Sequence, residues 1–176
     1  MTITPRKGRL AVGLIGLGRL GRVYARHLAG RIPETRLVAV ADPVGTLAKE
    51  VADEFDVPRH YADPLALIDD GGVEAIVIVS PTHTHRETVI AAAARGKPTF
   101  CEKPPALSLE EVAEMTEAVA RARMFFQMGF MRRFDPGYAA AKKEIDAGRI
   151  GAPLVFKSTS RDPFRPSLEY ANPQSS

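Results

Sequence analysis

The sequence predicts an α/β fold, a doubly wound parallel sheet covered by helices on both faces, and three observations carry the prediction. Apolar runs of strand length alternate with helical patterns of about 10 to 15 residues from Leu10 almost to the end, as in successive strand–helix–strand units. The runs are apolar throughout instead of alternating, which is what strands buried on two sides require. The first run also leads into a glycine loop, Gly16-Leu17-Gly18-Arg19-Leu20-Gly21, that starts a helical pattern.

Taken in order, the first strand covers residues 10–15, and Leu20, Val23, Tyr24, His27 and Leu28 follow at helical spacing, so that one stripe can lie on the sheet. Residues 37–41 form the next strand, and Leu47, Val51 and Phe55 the next stripe. Strands are then expected at 75–79, 99–101 and 125–128. Ser108 with Glu111 makes a capping-box pattern, each side chain satisfying a backbone N–H at a helix start, so a helix is expected over 109–122. Pro136 opens a last helix, where its missing N–H is no loss, and Gly148 closes it. Beyond Gly151 the pattern alternates, with Leu154, Phe156 and Ser158 on one side and Val155, Lys157 and Thr159 on the other. It predicts a half-exposed strand of a different sheet at 154–159. The tail, 163–176, holds three prolines and no apolar run, so that strand has no partner in the sequence.

With 176 residues, 45% of them hydrophobic and 26% charged, the chain can form one ordinary globular domain plus part of another. No window approaches the ~20 apolar residues of a membrane span, and no membrane partner is expected. The net charge of +3 is spread over short clusters at Arg6-Lys7-Arg9, Arg132-Arg133 and Lys142-Lys143, which excludes an extended basic face for nucleic acid. Basic residues before the apolar run 10–15 imitate a signal peptide, but no small-residue cleavage site follows, and a buried first strand explains the run better. Cys101 is the single cysteine, so no intrachain disulfide forms, and the expected compartment is the cytoplasm. His27, His60 and Cys101 lack the spacing of metal ligands, and no metal is expected.

The glycine loop is the strongest local signal. Gly16 permits a tight turn, Gly18 lets the backbone approach a pyrophosphate, and Gly21 allows the helix to pack close to the strand. The helix opening near Arg19 then aims its free N–H groups at phosphates. Asp42 lies 21 residues beyond Gly21, where the second strand ends. A carboxylate there accepts hydrogen bonds from ribose hydroxyls and repels a 2′-phosphate, which points to NAD rather than NADP. A turn-forming aspartate before Pro43 is the plainer reading of Asp42, and a methyltransferase binding S-adenosylmethionine also fits these two features.

A third feature separates them. Glu102-Lys103-Pro104 follows the strand 99–101, at the sheet edge where ligands bind. Pro81-Thr82-His83-Thr84-His85 follows the strand 75–79, and Gly129-Phe130-Met131-Arg132-Arg133-Phe134-Asp135-Pro136 follows the strand 125–128. With these motifs in this order, residues 10–163 resemble the Gfo/Idh/MocA oxidoreductases, and the neighbourhood of Arg161-Asp162-Pro163 resembles their inositol-dehydrogenase-like branch. The resemblance implies a Rossmann domain followed by an α/β substrate domain, and transfer of a hydride between NAD and a hydroxyl of a cyclitol or sugar. It implies that Lys103 is catalytic, bonding the substrate hydroxyl and the nicotinamide ribose, with Ser80, Thr82, His85 and Glu102 at the cofactor. It places Met131 and Arg132 near the substrate, while Arg133 pairs with Asp135 or another carboxylate.

The expected division is a dinucleotide-binding domain at 1–134, then a linker helix and the first strand of an incomplete substrate and oligomerisation domain at 135–176. The family pattern calls for a further aspartate and histidine downstream, which this sequence does not contain, so a truncated enzyme is expected, or a catalytically silent dinucleotide-binding module acting through a partner. Homo-oligomerisation is an open expectation, and a glycosidase cycle in which hydride leaves and returns is a third reading.

Overall fold

The computed structural model describes residues 8–161. Six strands form one sheet: β1 (Leu10–Ile15), β2 (Thr35–Ala41), β3 (His60–Tyr61), β4 (Ala75–Ile78), β5 (Thr99–Cys101) and β6 (Phe126–Met128). Their order is β3-β2-β1-β4-β5-β6, and every pairing is parallel. The helices are α1 (Arg19–Gly30), α2 (Gly45–Glu54), α3 (Pro64–Asp69), α4 (His85–Ala94), α5 (Leu109–Ala122) and α6 (Pro136–Asp146).

Parallel neighbours need crossovers, and the helices supply them on two faces. In β1, Val12 and Leu14 pack with Ala25 and Leu28 of α1 and Ala48 and Val51 of α2. Ala11 and Ile15 turn the other way, among Leu67 and Ile68 of α3, Val89 and Ala92 of α4 and Met115 of α5. Both residue sets of one strand are therefore buried, the physical reason for its unbroken apolarity. The connection from β3 through α3 to β4 changes face, and the sheet order reverses between β1 and β4. That reversal opens a crevice at the carboxyl edge.

Several expectations are adjusted by packing. Leu20 and Val23 of α1 remain exposed, and Gly21, Ala25 and Leu28 make the contact with the sheet. The helix approaches so closely that a Cβ on Gly21 would lie 2.1 Å from the Gly16 carbonyl oxygen, and small residues therefore define the contact face. The two-residue strand β3 carries no apolar run by which sequence could find it. The capping box is half formed: Ser108 Oγ accepts from Glu111 N–H at 3.2 Å, while Glu111 reaches past it to Leu107 N–H at 2.9 Å. α6 begins at Pro136 with Asp135 accepting from Gly137 and Tyr138 N–H. It closes in a Schellman turn, Gly148 at φ +70° with Gly148 N–H on Ile145 and Arg149 N–H on Glu144.

The expected strand at 154–159 does not form. These residues join no sheet, and Leu154 is 94% and Phe156 81% exposed. A strand is held by its ladder and its cross-strand side-chain pairs, and among the described residues nothing follows to provide them. The tail 163–176 and the first basic pair, Arg6 and Lys7, lie outside the described residues.

Candidate functional site

A cavity of about 900 Å³ opens at the carboxyl edge, where the turn after β1 faces the turns after β2, β4 and β5. Its floor is the glycine loop. Gly16 takes φ +89°, a left-handed conformation costly for any side chain, and a Cβ there would sit 2.5 Å from the Ser80 backbone nitrogen. The β1 and β4 turns can therefore touch backbone to backbone only through a glycine. Gly18 differs, because a Cβ on it would meet no atom of the described residues within 4 Å. The protein makes no use of that space. Gly18 is also the N-cap of α1, with no side-chain cap and no acidic residue in the first turn, whereas α3, α5 and α6 are capped by Asp63, Ser108 and Asp135. The first N–H groups of α1, at Arg19, Leu20 and Gly21, are left to bind an anion.

Asp42 directly follows β2 beside this loop and lines the cavity. Its Oδ2 accepts from Leu17 N–H at 2.9 Å and its Oδ1 from Val44 N–H at 2.9 Å. Both readings of this aspartate are thus present in one side chain: it shapes the turn before Pro43 and it faces the cavity. Each carboxylate oxygen keeps a lone pair for a further donor. Leu17 contributes its amide here, while its side chain is fully buried in the core. Beyond Asp42, Val44, Leu47 and Pro64 line an apolar slot. Val44 and Leu47 have a signal in the sequence, since they follow Asp42 directly into α2.

The opposite wall comes from the turns after β4 and β5. Ser80 and Thr82 line it, with Ser80 Oγ 2.6 Å from Thr84 Oγ1. Glu102 and Lys103 line it too, and the Lys103–Pro104 peptide is cis. The Lys103 side chain is exposed and has no ion-pair partner among the described residues. Glu102 is tied down: its Oε1 accepts from Tyr24 Oη at 2.5 Å and its Oε2 from Lys103 N–H at 3.0 Å. Burial, then the hydrogen bond to Glu102 and its charge, hold the Tyr24 phenol well above its ordinary range. Tyr24 reads in the sequence only as part of a helical stripe, because nothing local announces its partner 78 residues away.

Three expected site residues sit elsewhere. His85 is 1% exposed and is absent from the cavity wall. Its Nδ1 lies 2.9 Å from the Pro104 carbonyl oxygen and its Nε2 2.9 Å from that of Ser80; both partners only accept, so a neutral ring donates to one of them at a time while it packs between the two turns. Met131 and Arg132 also lie off the cavity, on a 3-10 turn at Met131–Phe134. Asp135 pairs with Arg132, at 3.7 Å, and not with Arg133, and the Arg132 guanidinium lies over the Tyr138 ring at 5.6 Å. Arg132 lies one position nearer the turn start, at i,i+3 from Asp135, the separation at which side chains on a helical turn meet. Cys101 is fully buried beneath the same wall, and burial followed by the charge of Glu102 pushes its thiol up to about 12. Among the described residues, no group of three or more His, Cys, Asp or Glu is placed to hold a metal, and no helix is long and apolar enough to cross a membrane.

Comparison with known proteins gives this geometry its context. Residues 10–130 match the model of the Gfo/Idh/MocA oxidoreductase family, described as an NAD-binding Rossmann fold. The chain belongs to that family. Among its relatives is the scyllo-inositol 2-dehydrogenase (NAD(+)) of Bacillus subtilis, 45% identical over 157 residues that are 89% of this chain and 46% of that protein. The myo-inositol 2-dehydrogenase of Thermotoga maritima is 40% identical over 92% of this chain and 48% of its own. The crystal structure of myo-inositol dehydrogenase from Lactobacillus casei, in complex with NAD(H) and myo-inositol, superposes with a TM-score of 0.79 at 34% identity, covering 83% of this chain and 44% of that one. The chain spans about half the length of the curated relatives it matches.

The present residues fit a dinucleotide on structural grounds of their own. The empty volume over Gly18, the uncapped start of α1 and the spare lone pairs of Asp42 are the three things a diphosphate and its ribose need.

Proposed function

We propose that this chain is the cofactor half of an NAD-dependent dehydrogenase that moves a hydride between NAD and a hydroxyl of a cyclitol or related polyol. The uncapped helix start over the open Gly18 carries the reading, together with Asp42 on one side and Lys103 on the other. The N–H groups of Arg19, Leu20 and Gly21 bind the diphosphate. Asp42 accepts from the adenosine ribose and, by its charge, disfavours a 2′-phosphate, giving preference for NAD over NADP. The slot of Val44, Leu47 and Pro64 excludes water from the adenine.

NAD, when bound, supplies the site that takes or gives the hydride. Lys103 acts at the other end of the cavity, where its amine holds the substrate oxygen and exchanges the hydroxyl proton as the carbon is oxidised or the carbonyl reduced. Ser80, Thr82 and Glu102 shape the nicotinamide end of the wall. Met131 and Arg132 stand outside the cavity as it is built here, so substrate is held chiefly by what lies beyond residue 134 in a complete enzyme, with 135–176 the beginning of that second domain. The compartment that suits a chain with one buried thiol and this cofactor is the cytoplasm.

Incubating the full chain with NAD and a panel of inositols and sugars tests the reading through the absorbance of the reduced cofactor. Turnover that disappears in Lys103→Ala supports an enzyme. NADH binding without turnover favours the second reading, a dinucleotide-binding module acting through a partner, which draws on the half-length match to the relatives. No binding of either cofactor form removes both.

A further inference from the structure

Resting on the function proposed above, we propose that Tyr24 is a positioning residue for Lys103: it clamps Glu102 to the phosphate-binding helix and so fixes the turn from which the lysine projects. Lys103 is exposed and, among the described residues, nothing grips its own side chain, so its place depends on its neighbours in the chain. Glu102 uses both oxygens for this purpose. One accepts from Tyr24 Oη on α1, the other from the Lys103 N–H, so a single carboxylate joins the helix to the lysine's own backbone.

The surroundings are built to keep that carboxylate in place. The Tyr24 ring lies against Phe100 of β5, with centroids 5.8 Å apart and planes at 42°. Gly129 leaves room, since a Cβ on it would sit 3.0 Å from both Glu102 Cδ and Phe100 Cζ. The phenol is held protonated, so it remains a donor. On the far side of Lys103, the Pro104 carbonyl oxygen lies 2.9 Å from Nδ1 of the buried His85 ring. The consequence is a fixed span between the α1 amides at one end of the cavity and the Lys103 backbone, from which the amine projects, at the other.

Tyr24→Phe keeps the ring and removes one oxygen, and its effect separates positioning from plain support of the fold. ADP carries the adenine, the adenosine ribose and the diphosphate without the nicotinamide and its ribose. Titrated into the full chain, it should bind Tyr24→Phe within about twofold of the unsubstituted protein, while NADH binds about fivefold more weakly, the worth of one hydrogen bond. Equal weakening of both ligands, or no weakening of either, overturns the proposal. Glu102→Gln, which keeps the shape and weakens the acceptor, should give the same split and serves if Tyr24→Phe does not fold. Should the unsubstituted chain bind neither ligand, the proposed function fails, and amide exchange in the ligand-free protein decides the clamp by itself. The Lys103 N–H should then exchange about tenfold faster in Tyr24→Phe with β1 amides unchanged, and unchanged Lys103 exchange overturns it.

Discussion

The sheet with its flanking helices and the segment after β6 are equally apolar to the eye, yet the chain treats them in opposite ways. Leu14, Ile15 and Val40 are almost wholly enclosed, while Phe134, Ile150, Leu154 and Phe156 face outward and α6 buries no residue at all. What differs is the presence of an opposing surface. β1 lies between β2 and β4 and under helices on both faces, so each side chain removes apolar area from water. The alternating residues at 154–159 have no strand beside them among the described residues, and although Phe156 to Thr159 share a shallow cleft with α6, Leu154, Val155 and Phe156 stay exposed. Patterning is a request for a partner, and only the first region has its request met. The candidate site sits wholly in that region, where packing fixes the geometry that a ligand needs.

The contrast can be broken most strongly in the core. Leu14→Ala should lower stability by about 2–5 kcal/mol, because the cavity it leaves cannot collapse between two strands, as denaturant unfolding would measure. The chemically identical change Leu154→Ala should stay within about 0.5 kcal/mol. Similar losses at both positions would mean that the outer segment is packed after all.

A middle-sized effect is expected away from the site, at Asp70. Burial alone would push its carboxyl up, but hydrogen bonds from Gly72 N–H and Tyr61 Oη and the charges of Arg59 and Lys97 outweigh it and hold the group below the usual range. A lowered folded value means that the stabilisation is fully present above the unfolded value of about 4 and fades as pH falls through the folded one. Asp70→Asn should therefore cost about 1–2 kcal/mol near neutrality, and the difference from the parent should shrink below about pH 4. A difference that is constant down to acid denaturation would show that the charge is not what matters there.

Asp42→Ala separates the two duties of that residue. Loss of the ribose acceptor and of the negative charge should bring NADH and NADPH affinities together, a change of about tenfold in their ratio, since charge-assisted hydrogen bonds are worth about 1.5–3 kcal/mol. Fluorescence titration reads it, and an unaltered ratio would reduce Asp42 to a turn residue. The smallest effect belongs to the outer segment again: Phe156→Ser should leave NADH affinity unchanged, because that side chain faces solvent and not the dinucleotide cavity.

How far the sequence reveals all this follows the same division. Long apolar runs and the glycine loop report local chemistry that packing then reinforces, so five of the six strands, the helix starts at Ser108 and Pro136, and the position of Asp42 are readable from residue order. β3 is not, because two residues carry no period. The clamp of Tyr24 on Glu102 and the inward turn of His85 are not readable either, since each depends on contacts between segments distant in the chain. The motif residues around Lys103 were legible as a group, but their division of labour was not: only the fold separates a side chain that lines the cavity from one that holds the wall in place.

Everything in the proposed function depends on α1 amides holding a diphosphate while Asp42 holds the adjoining sugar. Isothermal calorimetry of the folded chain with NADH, and then with NADPH, tests this most directly. Binding of one NADH per chain, tighter than NADPH, is the expected result. Absence of heat with either nucleotide on material shown to be folded, or tighter binding of NADPH, would contradict it.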